Sequence, residues 1–277
     1  MSEKFKKIYL FFEKGYHIYT DAKISFLAAQ TCFYVILAFF PFIVFVLTLI
    51  RATNLDDTLF MQALSSFMPQ STYTLTLQIL ENAQENKSFF ISISGVVASL
   101  WPFTKAVQSL IVSINTVYGI EEGTLIKRLG LSMLLTAAFI ILIILSMTLL
   151  LFGRNIGEIL FEYLGSPDTF LKVFDYLRYE FSIFVLLIIF IILYKTIPRK
   201  KLNIRDVIPG AAFSTVSWLI LSSAYSIFIS RFFKFASIYG GLLGIILLII
   251  WLYWAMHIIL IGAVINVVTS KRRKYHR

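Results

Sequence analysis

One lysine stands where a charge is expensive. Lys105 interrupts an otherwise charge-free stretch from Phe89 to Ile114. An ammonium in the bilayer interior costs roughly 2.5–3.5 kcal/mol even on the lenient insertion scale. If the stretch is one membrane helix, Lys105 lies about nine residues, or ~13 Å, from its nearer end, and its stem covers only part of that distance. No Asp or Glu lies inside any long apolar stretch to pair with it. Two readings stay open. Either an anion or a water-filled cavity meets the ammonium, or the lysine snorkels and is satisfied by backbone carbonyls. Gln108 and Ser109 follow one turn on, and Pro102 can open the helix beside them. The candidate contacts for an anionic group are therefore Lys105 and Gln108 within the stretch, with Asn115, Tyr118, Arg205 and Asp206 at helix ends.

Other chemistry is thinly represented. Of His17, His257 and His276, only His257 lies in an apolar stretch. No second histidine or carboxylate stands at helical spacing from it, so a metal site is unsupported and no cofactor is expected. The single cysteine, Cys32, excludes an internal disulfide and a cysteine-based zinc cluster. No nucleophile elbow, Walker loop or H-E-x-x-H is present. Gly240, Gly241 and Gly244 open a membrane helix, where close packing or a kink explains them better than phosphate binding. Ser214, Thr215, Ser217, Ser222, Ser223 and Ser226 read as helix-to-helix glue or as a polar path.

The elements that must position these residues follow from composition. The 277 residues are 58% hydrophobic and 14% charged, against roughly 25% charged in soluble chains. A soluble core cannot hide that much apolar surface, whereas a bilayer can. The expected class is all-α: a polytopic bundle of six membrane helices over about 24–50, 89–114, 129–153, 179–197, 207–230 and 239–269. Residues 24–270 form the membrane domain, 1–23 an amphipathic interfacial helix and 271–277 a basic tail. Pro41 kinks the first span. The stretch from Phe235 to Ser270 reads as one long tilted span, with a two-span hairpin as the alternative. No cleavable signal is expected, because the first apolar run is too long for one.

The charge of +10 is explained by topology. With six spans, the termini and the loops after spans two and four share one side. That side holds 17 of the 25 Lys and Arg, among them Lys23, Lys127, Arg128, Lys195, Arg199, Lys200 and Arg205. The opposite side holds seven, with nine of the fifteen acids. The positive-inside rule then places both termini in the cytoplasm. The basic rim faces anionic lipid head groups, and nucleic acid is not needed as a partner. Phe5, Ile8, Tyr9, Phe12, Tyr16 and Tyr19 follow helical spacing between lysines, as in a helix lying at the membrane surface. In the opposite loops, Leu59 to Phe67 and Ile156 to Tyr163 suggest amphipathic helices that cap the bundle or form a lid.

Several local patterns occur together in a fixed order. They are Ala28-Ala29-Gln30-Thr31-Cys32-Phe33-Tyr34, Phe39-Phe40-Pro41, Asn115-Thr116-Val117-Tyr118-Gly119, Asp206-Val207-Ile208-Pro209-Gly210, Tyr239-Gly240-Gly241, and Gly262-Ala263 with Asn266. In these the chain resembles the YihY/virulence factor BrkB family of bacterial inner-membrane proteins, over nearly its whole length. Pro102 and Leu219 depart from the family pattern, and Leu219 removes an intramembrane acid. The resemblance implies six spans in the bacterial inner membrane and says little of activity. The family's older label, ribonuclease BN, gains no support from these residues. The motifs also suit structural work: Asp206 capping span five with Pro209 in its first turn, and Asn115 and Tyr118 satisfying loose carbonyls. The expected activity is transport of a lipid or other anionic amphiphile between leaflets. The alternative is a membrane scaffold that binds a protein partner or a second copy of itself.

Overall fold

The structure is a computed structural model, and it describes residues 3–52, 89–121, 124–139, 141, 183–200, 202–232 and 241–274. Among them are seven helices: α1 (Glu3–Asp21), α2 (Ile24–Ala52), α3 (Phe89–Val117), α4 (125–139), α5 (Ile183–Thr196), α6 (Ile204–Phe232) and α7 (Gly241–Lys274). The expected loop helices over 59–67 and 156–163 lie outside the described residues, as does Gly240.

Side-chain contacts fix the helix directions. Thr31 of α2 hydrogen-bonds Ser109 (3.0 Å) and Ser113 (3.1 Å) of α3, which brings the first third of α2 against the last third of α3. Gln108 Nε2 of α3 donates to Ser132 Oγ of α4 at 3.4 Å, which turns the chain back again. Phe190 and Tyr194 of α5 meet Trp218 and Ser214 of α6. Ser214 in turn meets Ile258 of α7. Cys32 Sγ points at the Ile249 carbonyl, while Tyr19, just before α2, meets His257 further along α7, so α2 lies antiparallel to α7. One end of the bundle therefore gathers the starts of α2, α4 and α6 and the ends of α3, α5 and α7. Lys23, Lys127, Arg128, Lys195, Arg199, Lys200 and Arg205 all lie at that end. It is called the basic end below.

Two described helices are long and apolar enough to cross a membrane, over Ile204–Phe228 and Ile246–Ser270. A third qualifies if α1 and α2 count as one broken span. The break is sharp: α1 and α2 meet at 54°, and Lys23 takes a left-handed φ of 50° between them. A lysine in that conformation costs about 1 kcal/mol or more, so surrounding contacts must hold it. Phe11, Ile18 and Tyr19 of α1 pack on the core, while Phe5, Tyr9, Phe12 and Tyr16 stay exposed. α7 is unbroken from Gly241 to Lys274, so no hairpin interrupts these residues. Its 34 residues reach ~51 Å, well beyond a hydrocarbon core of about 30 Å.

An aromatic column fills the centre. Tyr194, Phe190, Trp218, Trp251 and Tyr225 follow one another with ring centroids 5.5–6.2 Å apart. Such offset pairs contribute beyond their buried area. Trp218 and Trp251 thus belong to the interior, whereas Trp101 and Trp254 are exposed.

Candidate functional site

At the basic end, α6 and α7 cross at two glycines. A methyl at Gly210 would collide with the Gly262 carbonyl oxygen, and one at Gly262 with Ser214 and Tyr194. Only glycine permits that approach. Around the crossing, Tyr194 donates to the Ile259 carbonyl (2.7 Å) and shares a hydrogen with Ser214 Oγ (2.7 Å). Asn266 Oδ1 accepts the Gly210 backbone N–H at 2.7 Å. Pro209 precedes Gly210 and has no N–H to give the helix. Asn266 therefore ties α7 to α6 where the backbone ladder of α6 is interrupted.

The Asn-x-x-Tyr-Gly motif closes α3 in a different way from the one expected. The Gly119 N–H reaches the Thr116 carbonyl (3.0 Å), and the Ile120 N–H reaches the Asn115 carbonyl (2.9 Å). Gly119 sits at φ 65°. This is the Schellman closure, made entirely by backbone groups. The side chains of Asn115 and Tyr118 are thereby left for other work. Asn115 Oδ1, the Tyr118 hydroxyl and Asn266 Nδ2 are buried and close no hydrogen bond of regular geometry. Buried polar atoms without partners are uncommon and costly. Burial pushes the Tyr118 phenol up to about 12; Asn266 beside it pulls the other way, and the Asp206 charge adds to the rise. Tyr118 thus joins α3 to both α6 and α7.

The cap of α6 also differs from expectation. The helix starts at Ile204, so Asn203 is the N-cap and Asp206 is the third helical residue. Asp206 Oδ2 accepts the Asn203 N–H (3.2 Å), and the Asp206 N–H reaches the Asn203 carbonyl (2.9 Å). This is the returning half of a capping box, with Asp206 as the side chain that reaches back. Pro209 falls in the second turn, because the helix begins three residues before Val207.

The candidate contacts thus divide. Asn115, Tyr118 and Asp206 come together at the basic end, with Arg205 next to Asp206 in the exposed first turn of α6. Gln108 packs between α3 and α4. Lys105 lies 13 residues before Tyr118, ~20 Å along α3. It is half-buried, and its ammonium lies 5.6 Å from the centroid of the Trp101 ring, which is 62% exposed. Pro41 lies within α2 and Gly241 at the first residue of α7.

Tyr194, Asn266 and the Thr31–Ser109–Ser113 hydroxyl cluster escaped sequence reasoning as partners. The one available signal was a polar residue inside an apolar run, and it does not reveal which helix is met. Among the described residues no three of His, Cys, Asp and Glu converge as metal ligands.

The apolar helices and the buried polar contacts between them define a helical membrane protein. The family described as virulence factor BrkB matches residues 16–277, and the chain belongs to it. It is 34% identical over 249 residues to the ribonuclease-like protein YfkH of Bacillus subtilis, covering 89% of this chain and 90% of that protein. It is 30% identical over 106 residues to a UPF0761 membrane protein of Idiomarina loihiensis, covering 38% of this chain and 35% of the other. A UPF0761 membrane protein of Pseudoalteromonas translucida is 31% identical over 74 residues, a quarter of its length (25%). No solved structure matches the chain.

Proposed function

We propose that the protein is a six-span transporter of the bacterial inner membrane, with both termini in the cytoplasm. Its cargo is a lipid or another anionic amphiphile, moved between leaflets along a path open to the bilayer. The observation that carries this reading is Lys105 at mid-length of α3, its ammonium over the exposed Trp101 ring. A cation–aromatic contact returns about 0.5–2 kcal/mol. The charge costs roughly 2.5–3.5 kcal/mol at the centre of a membrane helix. The shortfall of about 0.5–3 kcal/mol is what a passing phosphate or carboxylate head group offsets. The exposed ring borders lipid, so such a head group arrives sideways from the bilayer. The basic end supports the same reading, because clustered Lys and Arg gather anionic head groups at a membrane surface.

The ribonuclease-like name belongs to YfkH and is not extended to this chain.

Reconstitution tests the proposal. Liposomes containing the protein and fluorescent anionic or zwitterionic phospholipids are followed by outer-leaflet quenching. Wild-type protein is expected to move the anionic lipid faster, and Lys105→Ala to remove that preference while eluting as a folded protein. Equal movement by both proteins would sink the role of Lys105. No movement by wild-type protein would sink the transport reading.

A further inference from the structure

His257 is buried at mid-length of the Ile246–Ser270 span, and the transport reading gives it no task. Both ring nitrogens are engaged. Nδ1 lies 3.3 Å from the Tyr253 carbonyl, and Nε2 lies 3.3 Å from the Tyr19 hydroxyl. A carbonyl only accepts, so Nδ1 carries the proton of the neutral ring and Nε2 is the free base. The Tyr19 hydroxyl then donates to Nε2. On its other side it meets Ser25 Oγ at 2.7 Å. Ser25 is exposed at the junction of α1 and α2, at the basic end. Three hydrogen-bonding groups thus run from the surface to a buried base.

We infer that His257 is the protonatable group through which a proton gradient drives the transporter, and that Ser25 and Tyr19 form its proton path. The inference rests on the transport reading above. The transfer balances atom by atom. A solvent proton binds Ser25 Oγ, the Ser25 proton passes to Tyr19 Oη, and the Tyr19 proton passes to His257 Nε2. Serine and tyrosine end neutral with their hydrogen bonds reversed, and the ring ends as imidazolium with Nδ1–H still on Tyr253. Rotation of the two hydroxyls after release resets the path.

Histidine is the side chain whose ordinary range spans neutral pH, which suits a carrier loaded on one side and emptied on the other. Among the described residues, the titratable groups that meet it are Tyr19 from α1 and Tyr253 on its own helix. From α2 it meets the neutral Ser25 through Tyr19; Lys23 lies two residues before Ser25, and Cys32 meets α7 at Ile249, two turns away. Protonation changes what the cage must hold. The rings of Tyr253 and Trp254 lie 4.5 and 5.5 Å from the imidazole, and an imidazolium is drawn to their faces. Tyr19 ties that change to α1, and Cys32 with Ile249 ties α7 to α2.

Two measurements separate this inference from the reading beneath it. In the first, liposomes carrying fluorescent anionic phospholipid are given an imposed pH difference. Wild-type transport is expected to speed up several-fold, while His257→Gln transports at one rate with or without the gradient. Gradient-insensitive wild-type transport would overturn the coupling and leave transport standing. Absence of any lipid movement would overturn the transport reading, and the coupling with it. In the second, Trp254 reports imidazolium by fluorescence quenching after a rapid pH drop. The quench is expected in wild type, absent in His257→Gln and Trp254→Phe, and at least about tenfold slower in Tyr19→Phe. A Tyr19→Phe rate equal to wild type would overturn the path, whatever the lipid assay shows. Tyr19→Phe keeps the ring and its packing, so it remains informative if the histidine variant fails to fold.

Discussion

The crossing of α6 over α7 makes a quantitative forecast for Gly262→Ala. A methyl there collides with Ser214 Oγ and the Tyr194 hydroxyl and comes within 3.0 Å of the Gly210 carbonyl oxygen. If the hydroxyls move aside, two hydrogen bonds are lost: Tyr194 gives its one hydrogen to the Ile259 carbonyl, and Ser214 gives its one to Tyr194 or to the Ile258 carbonyl. Bonds between membrane helices average about 0.6 kcal/mol, so that route costs about 1 kcal/mol. If α6 backs away instead, overpacking costs about 1–3 kcal/mol and the link from Asn266 to Gly210 stretches as well. The two routes together predict a loss of about 1–4 kcal/mol, and an apparent melting temperature lower by roughly 3–15 °C. The assay is thermal unfolding in detergent followed by intrinsic fluorescence. Gly130→Ala is the control. Nothing lies within 4 Å of a methyl there, and alanine favours a helix. Gly262→Ala melting with Gly130→Ala, both at or above wild type, would refute the close crossing.

Asn266→Leu strands the buried Gly210 N–H and is expected to cost about 1–3 kcal/mol, read by the same melt. Gly119→Ala meets no atom within 4 Å, so its cost of about 1 kcal/mol comes from the left-handed backbone alone, and Gly119→Asn is expected to recover part of it. The Tyr118 phenol is pushed up to about 12 in the fold, against about 10 unfolded, so the fold binds its proton more tightly. Its contribution is fully present below pH 10 and is lost as pH rises from 10 to 12. Wild type is therefore expected to lose stability faster than Tyr118→Phe across that window in alkaline unfolding, and parallel curves would count against the burial of this hydroxyl.

The charge-free stretches of the sequence already outline α2, α3, α6 and α7, because a membrane helix announces itself by length and apolarity. The shared end was legible too: loop parity and the Lys and Arg tally place Asn115, Tyr118 and Asp206 on one side. Register between helices was not legible. Nothing in a single chain says that Gly210 meets Gly262, since small residues look alike whether they face lipid, backbone or a neighbour. Asn266 was visible as a polar residue in an apolar run, but its partner is a backbone N–H, which leaves no mark in sequence. The bend at Lys23 was hidden for a different reason. No glycine or proline signals it, and a lysine reaches left-handed φ only because the packing of α1 and α2 holds it there. Lys105 and Gln108, grouped with the helix-end residues by chemistry, are parted from them by the plain length of α3.

The tight junction at Lys23 also has a mechanical side. α1 is 19 residues long, an arm of ~28 Å, joined to α2 by only two residues. So short a joint transmits rotation. A tilt of about 5° at the start of α2 would sweep the far tip of α1 through ~2.5 Å, with Phe5, Tyr9 and Phe12 as its paddle. A load on this paddle would in turn return torque to the bundle.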